Sequence, residues 1–266
     1  MTPGARGYRV RSLVIGTATV AFLIAAWEAA VRLGDMPEFV LPSPSQVVAA
    51  AIEQGPVLGQ HIATTATEAV LGLALGTMLG WLLAVLISTI PTAGHITQPV
   101  VLLSQTIPTV VLAPLMILWA GFGLTPKVVL VAVTVFFPVL VASTAAIREV
   151  DAEYSDTVAG LGGGRSHQLW LVRLPASIPG ALSGLRIAAT YAVGAAVVSE
   201  YLAGESGIGV FIQRSRKAYA VDQIFVGIAL IALLSAILVG AIVALRRVAT
   251  PWQAHATTSS ITLPST

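Results

Sequence analysis

Histidines mark metal and proton-transfer sites when their spacing is right. Four are present: His61, His95, His167 and His255. No two form an H-x-x-x-H pair, there is no cysteine, and no carboxylate cluster completes a ligand set. A metal site is therefore not expected. The run Gly160-Leu161-Gly162-Gly163-Gly164-Arg165-Ser166 has the glycine density of a phosphate loop. It lacks the lysine of G-x-x-x-x-G-K-[ST], and no buried strand precedes it, so nucleotide binding is not expected either. No Ser–His pair falls inside an apolar run, which counts against an intramembrane protease. The chain reads as no enzyme: no catalytic residue, cofactor or metal is assigned to it.

The polar residues left inside apolar runs are the candidates for a transport path. Gln105, Thr106 and Thr109 lie among Pro99, Pro108 and Pro114. They read as path-lining groups or as ordinary interhelical hydrogen-bonding groups. Tyr191 offers a flat face to a ring-shaped solute, with core packing as its other role. Ser199 and Glu200 end a later apolar run. Glu200 reads as a gate or path residue, or as an interfacial charge paired with Arg214, Arg216 or Lys217. Glu28 beside Trp27 reads as structural, because tryptophan marks the membrane interface. Arg186 reads as a snorkelling side chain.

These residues need a membrane around them. Of 266 residues, 56% are hydrophobic and 10% charged, and the mean hydropathy is +0.88. A soluble domain carries roughly 25% charged residues. A formal net charge of +2 is too small to point to nucleic acid. Six stretches have the ~20 residues a helix needs to cross a bilayer. They fall near 12–33, 66–90, 97–120, 126–147, 178–202 and 223–246. Arg6, Arg9 and Arg11 precede the first, as in a secretory signal. Its apolar run, from Ser12 to Val31, exceeds the roughly 7–15 residues of a signal core, so it reads as an uncleaved span.

Loop charges set the orientation. Arginines stand at 6, 9 and 11, at 148, 165 and 173, and at 246 and 247. The 34–65 connection has no Lys or Arg. Both termini and the 148–177 loop are then expected in the cytoplasm. Arg214, Arg216 and Lys217 are the exception, on the opposite side. A short external helix is expected from about 44 to 54, capped by Ser43 or Ser45. The domain reading is a cytoplasmic segment 1–11, a transmembrane domain 12–252 and a disordered tail 253–266.

The 148–177 loop carries the most information. It reads as two short helices around the hinge Gly162–Gly164. The second runs to about Val172, and Leu174-Pro175 ends it and turns the chain back to the membrane. Such a segment is either a solvated loop on the bilayer surface or a docking element for a cytosolic partner.

Its spacing resembles the EAA loop of ABC-importer permeases: E-A-A, three residues, G, nine residues, I-x-L-P. Here the pattern falls on Asp156-Thr157-Val158, Gly162 and Val172-Arg173-Leu174-Pro175. Asp replaces Glu, Thr and Val replace the two alanines, and Val replaces Ile. Elsewhere the chain resembles permeases for sulfonates, taurine, nitrate and thiamine-precursor pyrimidines. The matching pieces are Leu41-Pro42-Ser43-Pro44-Ser45, Ile107-Pro108-Thr109, Ala113-Pro114-Leu115 and Gly121-Phe122-Gly123 before Lys127. Phe136-Phe137-Pro138-Val139 and Ser199-Glu200-Tyr201-Leu202 with Gly207-Ile208-Gly209 complete them. Ser183 to Val193 looks most like the members for thiamine pyrimidines or related heterocycles.

The resemblance implies an all-α membrane protein of about six transmembrane helices with a cytoplasmic coupling-helix loop, the type I ABC importer permease fold. It implies a bacterial inner-membrane location. Two permease copies would pair around a path, and each loop would dock on a cytosolic ATPase dimer that holds the ATP and Mg. An extracytoplasmic binding protein would deliver the solute. Asp156, Thr157, Val158, Gly162, Val172, Leu174 and Pro175 would form the coupling loop. Gln105, Thr109, Tyr191, Ser199 and Glu200 would line the path. The competing readings are a secondary transporter, with its own ion site at mid-membrane, and a non-transporting membrane scaffold.

Overall fold

The computed structural model describes residues 3–90, 108–150 and 152–251. Every element among them is helical. Helix α1 spans Pro3–Leu33, α2 Pro44–Glu53, α3 Gly55–Ser88, α4 Thr109–Ala120 and α5 Leu124–Arg148. Then come α6, Ala152–Gly160, and α7, Arg165–His167. A π-helical turn, Gln168–Arg173, leads into α8, Leu174–Ala203; α9 spans Ile208–Lys217 and α10 Val221–Ala249. Among the described residues, five helices are long and apolar enough to cross a membrane, and the shorter α4 is apolar too. Gln105, Thr106 and the start of the expected third span lie outside the described residues, as does the tail 253–266.

Apolar surface gives helices in lipid little reason to associate, so close van der Waals approach has to. The sequence provides that approach through glycines. On α3, Gly72, Gly76 and Gly80 recur every fourth residue and form one stripe. A Cβ at Gly76 would fall on the backbone of Ala132, and one at Gly72 on the Val131 side chain, both in α5. On α8, Gly180 and Gly184 do the same against Ala146 and Ala142 on another face of α5. Helix α5 is thus clasped between α3 and α8. Around it lies a core of small and branched residues: Ala69 and Leu73, Val131, Val135 and Val139, and Ala188, Ala189 and Ala192.

The outer helices bury far less of themselves. Helix α1 exposes Phe22 and Leu23 along its length. It is tied down at its end, where Glu28 accepts from the Ser45 backbone N–H (3.0 Å) and hydroxyl (2.8 Å). The ring of Trp27 also meets Phe225 of α10, at 5.5 Å between centroids. Helix α2 starts where a capping box forms, with the Ser43 hydroxyl accepting from Gln46 N and the Gln46 side chain accepting from Ser43 N.

Two helices begin or run differently from the sequence expectation. Helix α3 starts at Gly55, eleven residues before the expected 66. His61, Thr65 and Glu68 lower the local hydropathy, yet all three point inward and are buried. Leu174-Pro175 also does not end a helix and turn the chain. The helical path continues from Arg165 into the span. Proline removes a backbone donor and crowds the preceding turn. The π-helical turn absorbs this by slipping the register, and Leu174 N donates to Leu169 O, five residues back.

Candidate functional site

The loop between α5 and α8 has a defined shape. Helix α6 ends in a Schellman motif: Gly163 N donates to Val158 O (2.9 Å) and Gly162 N to Ala159 O (2.9 Å). Gly162 takes φ +85°, which a side-chain-bearing residue adopts at a cost. The chain then reverses into α7. Asp156, Thr157 and Val158 lie on α6, Val172 in the π-helical turn, and Leu174 and Pro175 in the first turn of α8. Leu174 is buried with Leu169 against Leu140 and Ile147 of α5, so the loop is rooted in the bundle. Leu161, Trp170 and Leu171 remain exposed, at 84, 59 and 67%. That is apolar surface on a segment outside the core. A cavity of about 480 Å3 opens beside it, lined by Ser88 of α3 and Thr89 just beyond it, with Arg165, Gln168 and Trp170.

A second polar cluster sits at the opposite end of the bundle. Lys127 of α5 donates to Glu68 of α3 at 2.7 Å, and both are buried. The Glu68 carboxyl group also lies against that of Glu200. Glu200, near the end of α8, is fully buried. Its carboxylate accepts from the Thr65 hydroxyl at 2.6 Å and from Gly209 N at 2.7 Å. The expected ion pairs of Glu200 with Arg214, Arg216 or Lys217 are not what holds it. Arg214 donates to the Glu205 carbonyl (3.1 Å), and Arg216 lies over the Tyr201 ring.

The candidate path residues that are described are not gathered in one place. Ser199 is buried and donates to Ala196 O (2.7 Å) within its own helix. It borders a cavity of about 10 Å3 with Ala113 and Ile117 of α4 and Lys127 of α5, room for about one water. Tyr191 lies elsewhere, on an exposed face of α8 with Ile187 and Thr190. Thr109 is the first residue of α4. His61, Glu68 and Lys127 were not singled out from the sequence. The signal was there: 61, 65 and 68 fall on one helix face inside a largely apolar run, and ionisable groups in such runs have specific partners.

Residues 76–250 match the family model described as the binding-protein-dependent transport system inner membrane component. The chain belongs to this family. The riboflavin transport system permease protein RibX of Chloroflexus aurantiacus is 34% identical to this permease over 239 residues, covering 89% of each chain. The taurine transport system permease protein TauC of Escherichia coli is 30% identical over 249 residues, covering 91% of this chain and 90% of that one. The formylaminopyrimidine transport permease protein ThiX of Halalkalibacterium halodurans is 31% identical over 232 residues, covering 87% and 92%. In fold, an inward-facing structure of the MetNI methionine ABC transporter aligns with a TM-score of 0.66 at 17% identity, over 74% of this chain and 98% of that one. The protein is a multi-pass inner-membrane permease of an ABC importer for small solutes, and the ATPase is a separate subunit.

Proposed function

We propose that this permease moves a small heteroaromatic solute, a thiamine-precursor pyrimidine or a similar ring, with sulfonate, taurine or nitrate as the alternative cargo. The observation that carries the reading is the face of α8 holding Ile187, Thr190 and Tyr191. It is exposed at mid-helix although the neighbouring face, with Ala188, Ala189 and Ala192, is fully buried. An exposed tyrosine there suits a flat ring, which stacks on it with offset geometry. Two relatives, the riboflavin and the formylaminopyrimidine transport permeases, support a ring. Those for taurine and aliphatic sulfonates support the alternative.

The same face would meet a second permease copy across the path, so the working unit is a homodimer. Helix α6 and the π-helical turn dock on the cytosolic ATPase, with Asp156, Thr157, Val158 and Gly162 in the contact. Both termini lie in the cytoplasm, and a binding protein delivers the solute on the other side.

The test of the cargo is a thermal-shift series on the binding protein that works with this permease. Riboflavin, formylaminopyrimidine, taurine and an alkanesulfonate are compared. A shift with a ring compound alone supports the reading, and a shift with a sulfonate alone overturns it. For the path, Tyr191→Ala raises the KM of ATP-driven uptake of the identified ring about tenfold. An unchanged KM removes Tyr191 from the path.

A further inference from the structure

The start of α9 is capped in an unusual way. Three successive backbone donors there are Gly207 N, Ile208 N and Gly209 N. Each goes to a side chain on another helix: Gly207 N to His61 Nδ1 at 3.0 Å, Ile208 N to Thr65 Oγ1 at 2.9 Å, and Gly209 N to Glu200 at 2.7 Å. A helix start leaves such donors unpaired, and a local Ser, Thr or Asp commonly takes one. Here no local side chain does so. His61 and Thr65 are one helical turn apart on α3, and Glu200 comes from α8.

The backbone is shaped to let the three side chains in. Gly207 takes φ +122°, and a Cβ there would fall on the Glu200 carboxylate. A Cβ at Gly209 would meet the carbonyl of Val197. The acceptors are themselves joined, since the Thr65 hydroxyl donates to Glu200. The seat is interior: His61, Thr65, Glu200 and Ile208 are all buried. Leaving such donors unpaired in a buried place destabilises the fold.

We infer that His61, Thr65 and Glu200 are positioning residues that fix α9 to the α3–α8 pair as one body. Helix α9 then travels with α3 and α8 through the transport cycle. It is the far-end extension of the same two spans that run down to the docking loop. This assigns Glu200 to holding α9, not to contacting solute.

The experiment uses the whole transporter in lipid nanodiscs and reads amide hydrogen exchange over 205–212 together with solute moved per ATP hydrolysed. Glu200→Gln is the conservative variant, because its amide oxygen accepts from Gly209 and its NH2 reaches Thr65. It keeps wild-type exchange and coupling. Thr65→Val removes one acceptor at nearly constant shape. It speeds exchange of this segment about tenfold and lowers solute per ATP by a similar factor. Glu200→Ala does both more strongly. Exchange unchanged in Thr65→Val would overturn the seat. Fast exchange with undiminished coupling would overturn its role in transport. A raised solute KM in Glu200→Gln with exchange unchanged would return Glu200 to the path.

Discussion

Lys127 and Glu68 lie 2.7 Å apart in the interior, and each makes the other's burial tolerable. Removing one partner strands the other, at a cost of about 3–5 kcal/mol; replacing both by apolar side chains of similar volume is close to neutral. Lys127→Met alone is therefore expected to lower the melting temperature of the purified permease sharply. Glu68→Leu with Lys127→Met is expected to recover most of the loss. Equal losses in the single and double variants would show that the pair is not the source. From the sequence, Glu200 stood out as an acid at the end of an apolar run. Its partners did not, because they lie 135 residues upstream, at Thr65, and on the backbone of Gly209. Chain distance of that kind leaves no local pattern. His61 and Glu68 were legible in principle, as polar positions on one face of α3.

Helices are where the sequence was most readable, and also where it misled. Among the described residues, long apolar runs fall on five helices long enough to cross a bilayer, a length that few other environments demand. The starts were harder. Helix α3 reaches back to Gly55 because its polar residues are satisfied by α5, α8 and α9, which hydropathy does not register. The π-helical turn before Pro175 was not readable either, since proline alone does not say whether a helix breaks or slips. The glycine stripe of α3 makes a prediction at this scale. Gly76→Leu drives a side chain into the Ala132 backbone and must part α3 from α5. The expected result is loss of folded permease from detergent extracts, read by size-exclusion chromatography. Gly59→Leu, which meets open space on the same helix, is the control and leaves the yield intact. Equal yields from both would contradict the close approach.

The whole molecule is polar at its two ends for different purposes. One end carries the seat of α9, and the other the loop of α6, α7 and the π-helical turn. Loop arginines imply that the second end faces the cytoplasm. The chain has no cysteine, so single introduced ones report sides without background. In intact cells, a membrane-impermeant thiol reagent is expected to label Ala218→Cys and to label Ser166→Cys only after permeabilisation. The reverse pattern would invert the assigned orientation. We propose that the loop passes ATPase motion into the bundle. Its direct test is Gly162→Asp, which puts a side chain and a charge at the φ +85° hinge that closes α6. The measurement is copurification of the ATPase with the permease, alongside ATP-driven uptake. The expected variant is a folded permease at normal levels that no longer retains the ATPase and no longer transports. ATPase retained in full and uptake unchanged would contradict it.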